Sequence, residues 1–264
     1  YEKFYYLFEL ISWEKKLMEE EFEAGHFNHN LDALIKEETH VIEQLRNLAE
    51  YHILYSRINY IFRSGGFTRN ESERQVVDEI ADYHLIKGKN TAISVRATSI
   101  CYYIKGLCAA SVRDYEFALV NFRKAKAVMD KNPKIKSDLT NRYIYTLNFL
   151  MHTYIDSNDF ENAERLIEEL TSLSDLKEYK TLDAEVKIFS ATHIGKMQLF
   201  TKRGDFDKAV ALIPEIDQSI EKYAEKRKKE KILLFNYSKA YAYFGCGDYK
   251  TGLKLLNDVL NDNE

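Results

Sequence analysis

The side chains in this 264-residue chain with reactive or ligating potential are few and scattered. His26 and His29 stand three apart, with His40 and His52 further along. Metal-binding His pairs on a helix are four apart and need further ligands around the ion. This pair instead straddles Asn28 in a turn-like stretch, where turn and capping chemistry accounts for it, and no metal is expected. Cys101 and Cys108 are seven apart, on one stripe of a helix, and Cys246 leaves the number odd. They read as small buried apolar groups in a reducing cytoplasm, not as a disulfide framework. Ser64-Gly65-Gly66 lacks the Gly-x-x-x-x-Gly-Lys-Ser/Thr context of a phosphate loop, and Gly195-Lys196 falls inside a helical pattern. No Gly-x-Ser-x-Gly elbow is present. Glu19, Glu20, Glu21 and Glu23 read as a solvated helix end. No residue set points to catalysis or to a cofactor, so the chain is not expected to be an enzyme.

The charge balance narrows the partners. A net charge of −4 gives no electrostatic case for nucleic acid or an acidic membrane. The one basic cluster, Lys226-Arg227-Lys228-Lys229-Glu230-Lys231, is interrupted by acids and begins a helix, where positive charge is mildly unfavourable. It reads as a solvated linker. No signal peptide is evident, and no apolar run approaches the ~18 residues a spanning helix needs. These features point to a cytoplasmic protein. The chain opens at Tyr1 without a Met and ends inside a repeat, as a piece of something longer would.

What must position any working surface is a repeated turn. Arg113-Asp114-Tyr115-Glu116-Phe117-Ala118 recurs as Asn158-Asp159-Phe160-Glu161-Asn162-Ala163, as Gly204-Asp205-Phe206-Asp207-Lys208-Ala209 and as Gly247-Asp248-Tyr249-Lys250-Thr251-Gly252. The Asp positions are 45, 46 and 43 residues apart, a period that marks stacked helical units. In each copy the Asp is placed to cap a new helix, the aromatic to plug the junction, and the small residue to let backbones approach. Apolar stripes follow in step: Phe122 and Ala125, Ile167 and Leu170, Ile213 and Ile216, Leu256 and Val259.

This pattern resembles the tetratricopeptide repeat family over roughly residues 91 to 262. It does so best at Tyr102, Gly106, Ala109, Asp114, Tyr115, Ala118, Phe122 and Ala125. The period exceeds the family's ~34 residues, Met151 and Met197 stand where the family has a small residue, and its closing Pro is offset (Pro133) or missing. The resemblance implies an all-α, right-handed superhelix of five or six helix pairs, with divergent repeats over 1–90 continuous with those over 91–264. It also implies an inner face carrying Tyr103, Leu107, Tyr145, Asn148, His152, Ile194, Gln198, Lys202, Tyr237, Tyr241 and Phe244. Aromatic anchors mixed with amide, imidazole and ammonium donors suit an extended peptide or a partner helix. The expected function is therefore a non-enzymatic protein- or peptide-binding scaffold. The alternative is the peptide-sensing domain of a larger bacterial regulator. Asn148 and Lys202 only partly match the family's carboxylate clamp, so carboxylate recognition is not expected.

Local signals place the remaining elements. Residues 1–24 read as a helix, and Gly25-His26-Phe27 as a worn copy of the turn. The stretch from Leu31 to Arg63 has neither Gly nor Pro and reads as two helices, with Thr39 as the cap between them. Asn70 and Glu73 start a helix reaching about Ile86, and Gly88 stops it. Helices then pair at 91–112 with 115–131, 136–156 with 159–172, 178–202 with 205–223, and 228–245 with 248–262. Pro133 reads as linker, and Pro214 should kink or split its helix.

Overall fold

The computed structural model describes residues 2–20, 29–65, 67–222 and 229–261. Among them the regular structure is helical throughout, with no strand, and no helix is long and apolar enough to cross a membrane. The worn turn at residues 25–27 and the basic residues 226–228 lie outside the described residues. The chain divides into two compact units, Tyr1–Asp138 and Leu139–Glu264.

The first unit contains α1 (Phe4–Glu20), α2 (His29–Gly65), α3 (Glu71–Asp82), α4 (His84–Lys87), α5 (Val95–Ser111), α6 (Tyr115–Asp130) and α7 (Pro133–Asp138). The 37-residue α2 corrects the expectation of two helices. Thr39 caps nothing: its hydroxyl donates to the Ile35 carbonyl at 2.8 Å, the back-bond of a threonine inside a helix. Leu34 and Val41 bury against Phe4 and Ile11 of α1, and Tyr51, Leu54 and Ile58 are buried further along. α2 also grips the loop around residue 90 from both sides. The Tyr51 hydroxyl donates to Leu85 O at 2.9 Å and lies 2.9 Å from Thr91 Oγ1, while Asn47 donates to Thr91 O at 2.9 Å. Asn70 starts α3 as expected, its side chain accepting from Glu73 N at 2.9 Å, and Glu73 accepts from Arg69 N at 2.8 Å. This helix stops at Asp82, four residues short of expectation, and the one-turn α4 follows before Gly88. Pro133 is not linker but the first residue of α7, a place where its missing N–H goes unused.

The second unit contains α8 (Thr140–Asp156), α9 (Phe160–Ser172), α10 (Leu182–Arg203), α11 (Phe206–Ala211), α12 (Ile213–Lys222), α13 (Lys229–Gly245) and α14 (Tyr249–Asn261). Pro214 splits its helix, as expected, into α11 and α12 around Leu212. α10 packs against α8 on one side and α13 on the other, and α8, α10 and α13 each pair with the helix that follows.

The four turns share one hydrogen-bonding plan. The residue before each Asp is left-handed: Arg113 at φ 64°, Asn158 at 60°, Gly204 at 82° and Gly247 at 84°. The Asp amides bond the carbonyls five residues back, on Ala109, Tyr154, Phe200 and Tyr243, at 2.8–3.0 Å. The amides of the left-handed residues bond the carbonyls three back, on Ala110, Ile155, Thr201 and Phe244. Together these satisfy helix-end carbonyls in the Schellman arrangement. Asp114, Asp159 and Asp248 then accept from the amides of Phe117, Asn162 and Thr251 at 3.1, 3.3 and 3.1 Å. Asp205 makes no such cap and instead accepts from Lys208 Nζ at 3.1 Å.

Side chains fill the junctions in large–small pairs. Ala118, Ala163 and Ala209 are fully buried. The Phe122 ring lies where a Cβ on Gly106 would project, 2.6 Å from its Cε1. Met151, in place of the family's small residue, faces a glycine: a Cβ on Gly195 would meet its Sδ at 2.5 Å.

Two substitutions test these accounts. Asp159→Ala should lower unfolding stability by about 1 kcal/mol, while Asp205→Ala, which breaks only a surface pair, should lose less than about 0.5 kcal/mol. Equal losses in denaturant midpoints would show that capping is not what distinguishes the turns. Gly106→Ala should destabilise even though alanine favours helix by about 1 kcal/mol, since overpacking costs about 1–3 kcal/mol. A more stable variant would show that the Phe122 ring yields.

Candidate functional site

The residues expected on one inner face separate by unit and by burial. Tyr103 on α5 is only 2% exposed, its ring edge-on to Phe122 at 5.8 Å and tilted against Tyr55 of α2 at 5.9 Å. It is core, and so is Leu107. The physical reason is α2, which packs along α5 and occupies the side on which a groove was expected. Ile194 of α10 is buried likewise.

The other positions remain accessible in the second unit, on the three laterally packed helices α8, α10 and α13. On α8, Tyr145, Asn148 and His152 are half-buried; on α10, Gln198 is half-buried and Lys202 exposed. On α13, Tyr237, Tyr241 and Phe244 are each more than half exposed, at a four-then-three spacing that lines them along one stripe. The opposite side of α13 is anchored: Phe235 and Ala242 are buried in a cluster with Ile194, Met197, Ala209 and Ile216. The aromatic stripe is therefore borne on a helix that has little freedom to roll.

Neighbouring groups shape this surface. Phe206, the junction aromatic of its turn, sets its ring edge-on to Tyr241 at 6.2 Å, and Tyr249 does the same to Phe244 at 5.0 Å. The Lys187 ammonium lies 5.6 Å from the centroid of the Tyr145 ring while paired to Asp183. The repeated turn marked Phe206 and Tyr249 as junction aromatics, though not as neighbours of Tyr241 and Phe244. For Lys187 no local pattern marks the contact.

Behind the face, polar groups hold the helix broken by Pro214. The Lys239 ammonium on α13, almost wholly buried, donates to Asp217 on α12. His193 on α10, 6% exposed, stacks on Phe189 at 3.9 Å and places Nδ1 3.0 Å from the Phe189 carbonyl oxygen. Its Nε2 lies 3.1 Å from Glu215 Oε1 on α12, close enough to pair electrostatically but out of line for a hydrogen bond. Burial pushes the His193 pKa below its ordinary value, against the opposing pull of the Phe189 carbonyl and Glu215.

Among the described residues, the cleft of the first unit does not gather groups in a reactive state. It measures about 400 Å³ and opens between α3 and α6, lined by Val77, Ile86, Cys108 and Phe117. Burial pushes the Cys108 thiol up to about 12, which keeps it protonated and inert. At its rim, Lys87 is paired to Asp82 and Asp114 is occupied as a cap. Among the described residues no three His, Cys, Asp or Glu side chains are grouped to hold a metal ion.

The His193 environment sets a pH dependence. Below about pH 6.5 the unfolded chain takes up a proton on this imidazole that the folded chain resists, so its contribution to stability is full above that pH and falls below it. Wild-type protein should therefore lose stability relative to His193→Gln as pH drops from about 7 to about 5.5. Parallel denaturation curves for the two proteins would sink this assignment. Compared with family models, curated proteins and solved structures, the chain matches none significantly.

Proposed function

We propose that this chain is a non-enzymatic binding module built of tetratricopeptide-like repeats, which takes an extended peptide or a partner helix on the concave face formed by the solvent-facing sides of α8, α10 and α13. The proposal includes, for residues 139–261, the right-handed superhelical course that the resemblance implies. The observation that carries the reading is the α13 stripe. Tyr237, Tyr241 and Phe244 present large, rigid, amphipathic rings to solvent from a helix whose other side is buried. Such rings bury much area with few torsions to freeze, which is why tyrosine is enriched at binding hot spots. Gln198, Lys202, Asn148 and His152 on the adjoining helices supply donors and acceptors for a peptide backbone. A pre-formed face of this kind loses little freedom on docking. A peptide-sensing regulator of the cytoplasm would use the same face, with its output carried elsewhere.

The test is selection from a displayed library of unstructured peptides, followed by titration against wild type and the Tyr237→Ala/Tyr241→Ala double variant. Both rings project into solvent, so the variant should keep its helical spectrum and thermal midpoint. Affinity should fall about thirtyfold or more, the loss of roughly 2 kcal/mol that marks a hot spot. Selected peptides that bind both proteins equally would place the working surface elsewhere.

A further inference from the structure

The first helix of the chain is apolar on two sides, and only one has a partner. Phe4 and Ile11 are buried against Leu34 and Val41 of α2, and Lys15 pairs with Glu38 on the same side at 2.6 Å. On the far side Tyr6, Leu10, Trp13 and Leu17 are each more than half exposed. Their spacing of four, three and four is the heptad seam of a coiled coil. Ile35 and Ile42, each one residue past the α1-facing Leu34 and Val41, are also exposed and widen the apolar surface of the hairpin. An apolar helix face of this extent is ordinarily buried against something.

The charges beside the seam select the occupant. Glu9 and Lys16 immediately precede Leu10 and Leu17 and so occupy the same flanking row, one heptad apart. Both are exposed, and the Lys16 ammonium lies over the Trp13 ring of its own helix, 4.9 Å away. If a second α1 lies antiparallel across the first, this row faces itself, and Glu9 of each helix meets Lys16 of the other, twice by symmetry. The apolar positions match in the same alignment, Leu10 against Trp13 and Tyr6 against Leu17. A parallel alignment would instead set Glu9 against Glu14 on both sides, a like-charge repulsion. The seam is thus complementary to its own reversed copy.

We propose that this chain self-associates through α1, two copies pairing their first helices antiparallel along Tyr6, Leu10, Trp13 and Leu17. The surface is separate from the aromatic stripe of α13 and does not depend on the function proposed above.

Trp13 is the only tryptophan of the chain, so its emission reports on the seam directly. Sedimentation equilibrium of wild type should give a dimer, with Trp13 emission shifting to the blue as concentration rises. Lys16→Glu, which makes the facing charges alike, should weaken association at least tenfold and keep the emission red at concentrations where wild type is blue. The swap Glu9→Lys/Lys16→Glu should restore both readings. That rescue distinguishes the pairing from a folding defect, because Glu9 and Lys16 are both solvent-facing in the separate chain. A wild-type chain that stays monomeric throughout overturns the proposal. So does a dimer indifferent to Lys16→Glu, or a blue shift seen only with lipid vesicles.

Discussion

The constraint on which the rest of the structure depends is the left-handed residue at each chain reversal. Helices end with unsatisfied carbonyls, and a single residue with positive φ turns the following amides back onto them. At Arg113, Asn158, Gly204 and Gly247 this is done with the same two backbone bonds, whether the residue is arginine, asparagine or glycine. A non-glycine residue in that conformation costs about 1–2 kcal/mol. At Arg113 the guanidinium lies 4.4 Å from the Phe67 ring, a contact that gives the strained residue a use. The Asp that follows is placed by this geometry at the start of the next helix, so one short sequence both ends and begins a helix.

With the reversals set, packing quality depends on volume matched across helices, not on any one signature residue. Phe122 fits because Gly106 has no side chain, and Met151 fits because Gly195 has none. The methionine that departs from the repeat signature is thus compensated one helix away. A similar compensation surrounds Pro214. The helix it splits loses backbone bonding, and the resulting α12 is tied by Asp217 to Lys239 on α13 and by Glu215 to His193 on α10. The Lys239–Asp217 ion pair, reaching from a nearly buried cation to an exposed carboxylate, pins a segment that helical continuity no longer holds.

Tyrosine serves two ends in this chain, and burial separates them. Tyr51, Tyr103, Tyr143 and Tyr179 are among the largest fully buried side chains, while Tyr6, Tyr237 and Tyr241 are more than half exposed. A buried phenol needs a partner for its hydroxyl, which Tyr51 finds in Leu85 and Thr91, and Tyr143 in Glu169 at 2.7 Å. Exposed phenols need none and remain available to a partner molecule. The same residue type therefore marks core at one position and exposed surface at another.

What the sequence determined by itself is whatever is local. The Asp-aromatic turns, the capping at Asn70, the stop at Gly88 and the break at Pro214 follow from hydrogen bonds and sterics within a few residues. The pairing of helices around each turn follows with them. The tertiary structure decided whatever depends on a distant neighbour. Thr39 stands inside one long helix because α1 and α5 give that helix an extended bed of contacts, where local pattern allowed a break. Tyr103 is core because α2, some fifty residues earlier, lies over it. Tyr237 and Tyr241 face outward because the opposite side of their helix is claimed by Ile194, Met197 and Ala209. A helix carries its own start and end in its residues; which of its faces meets water is settled only when another helix arrives.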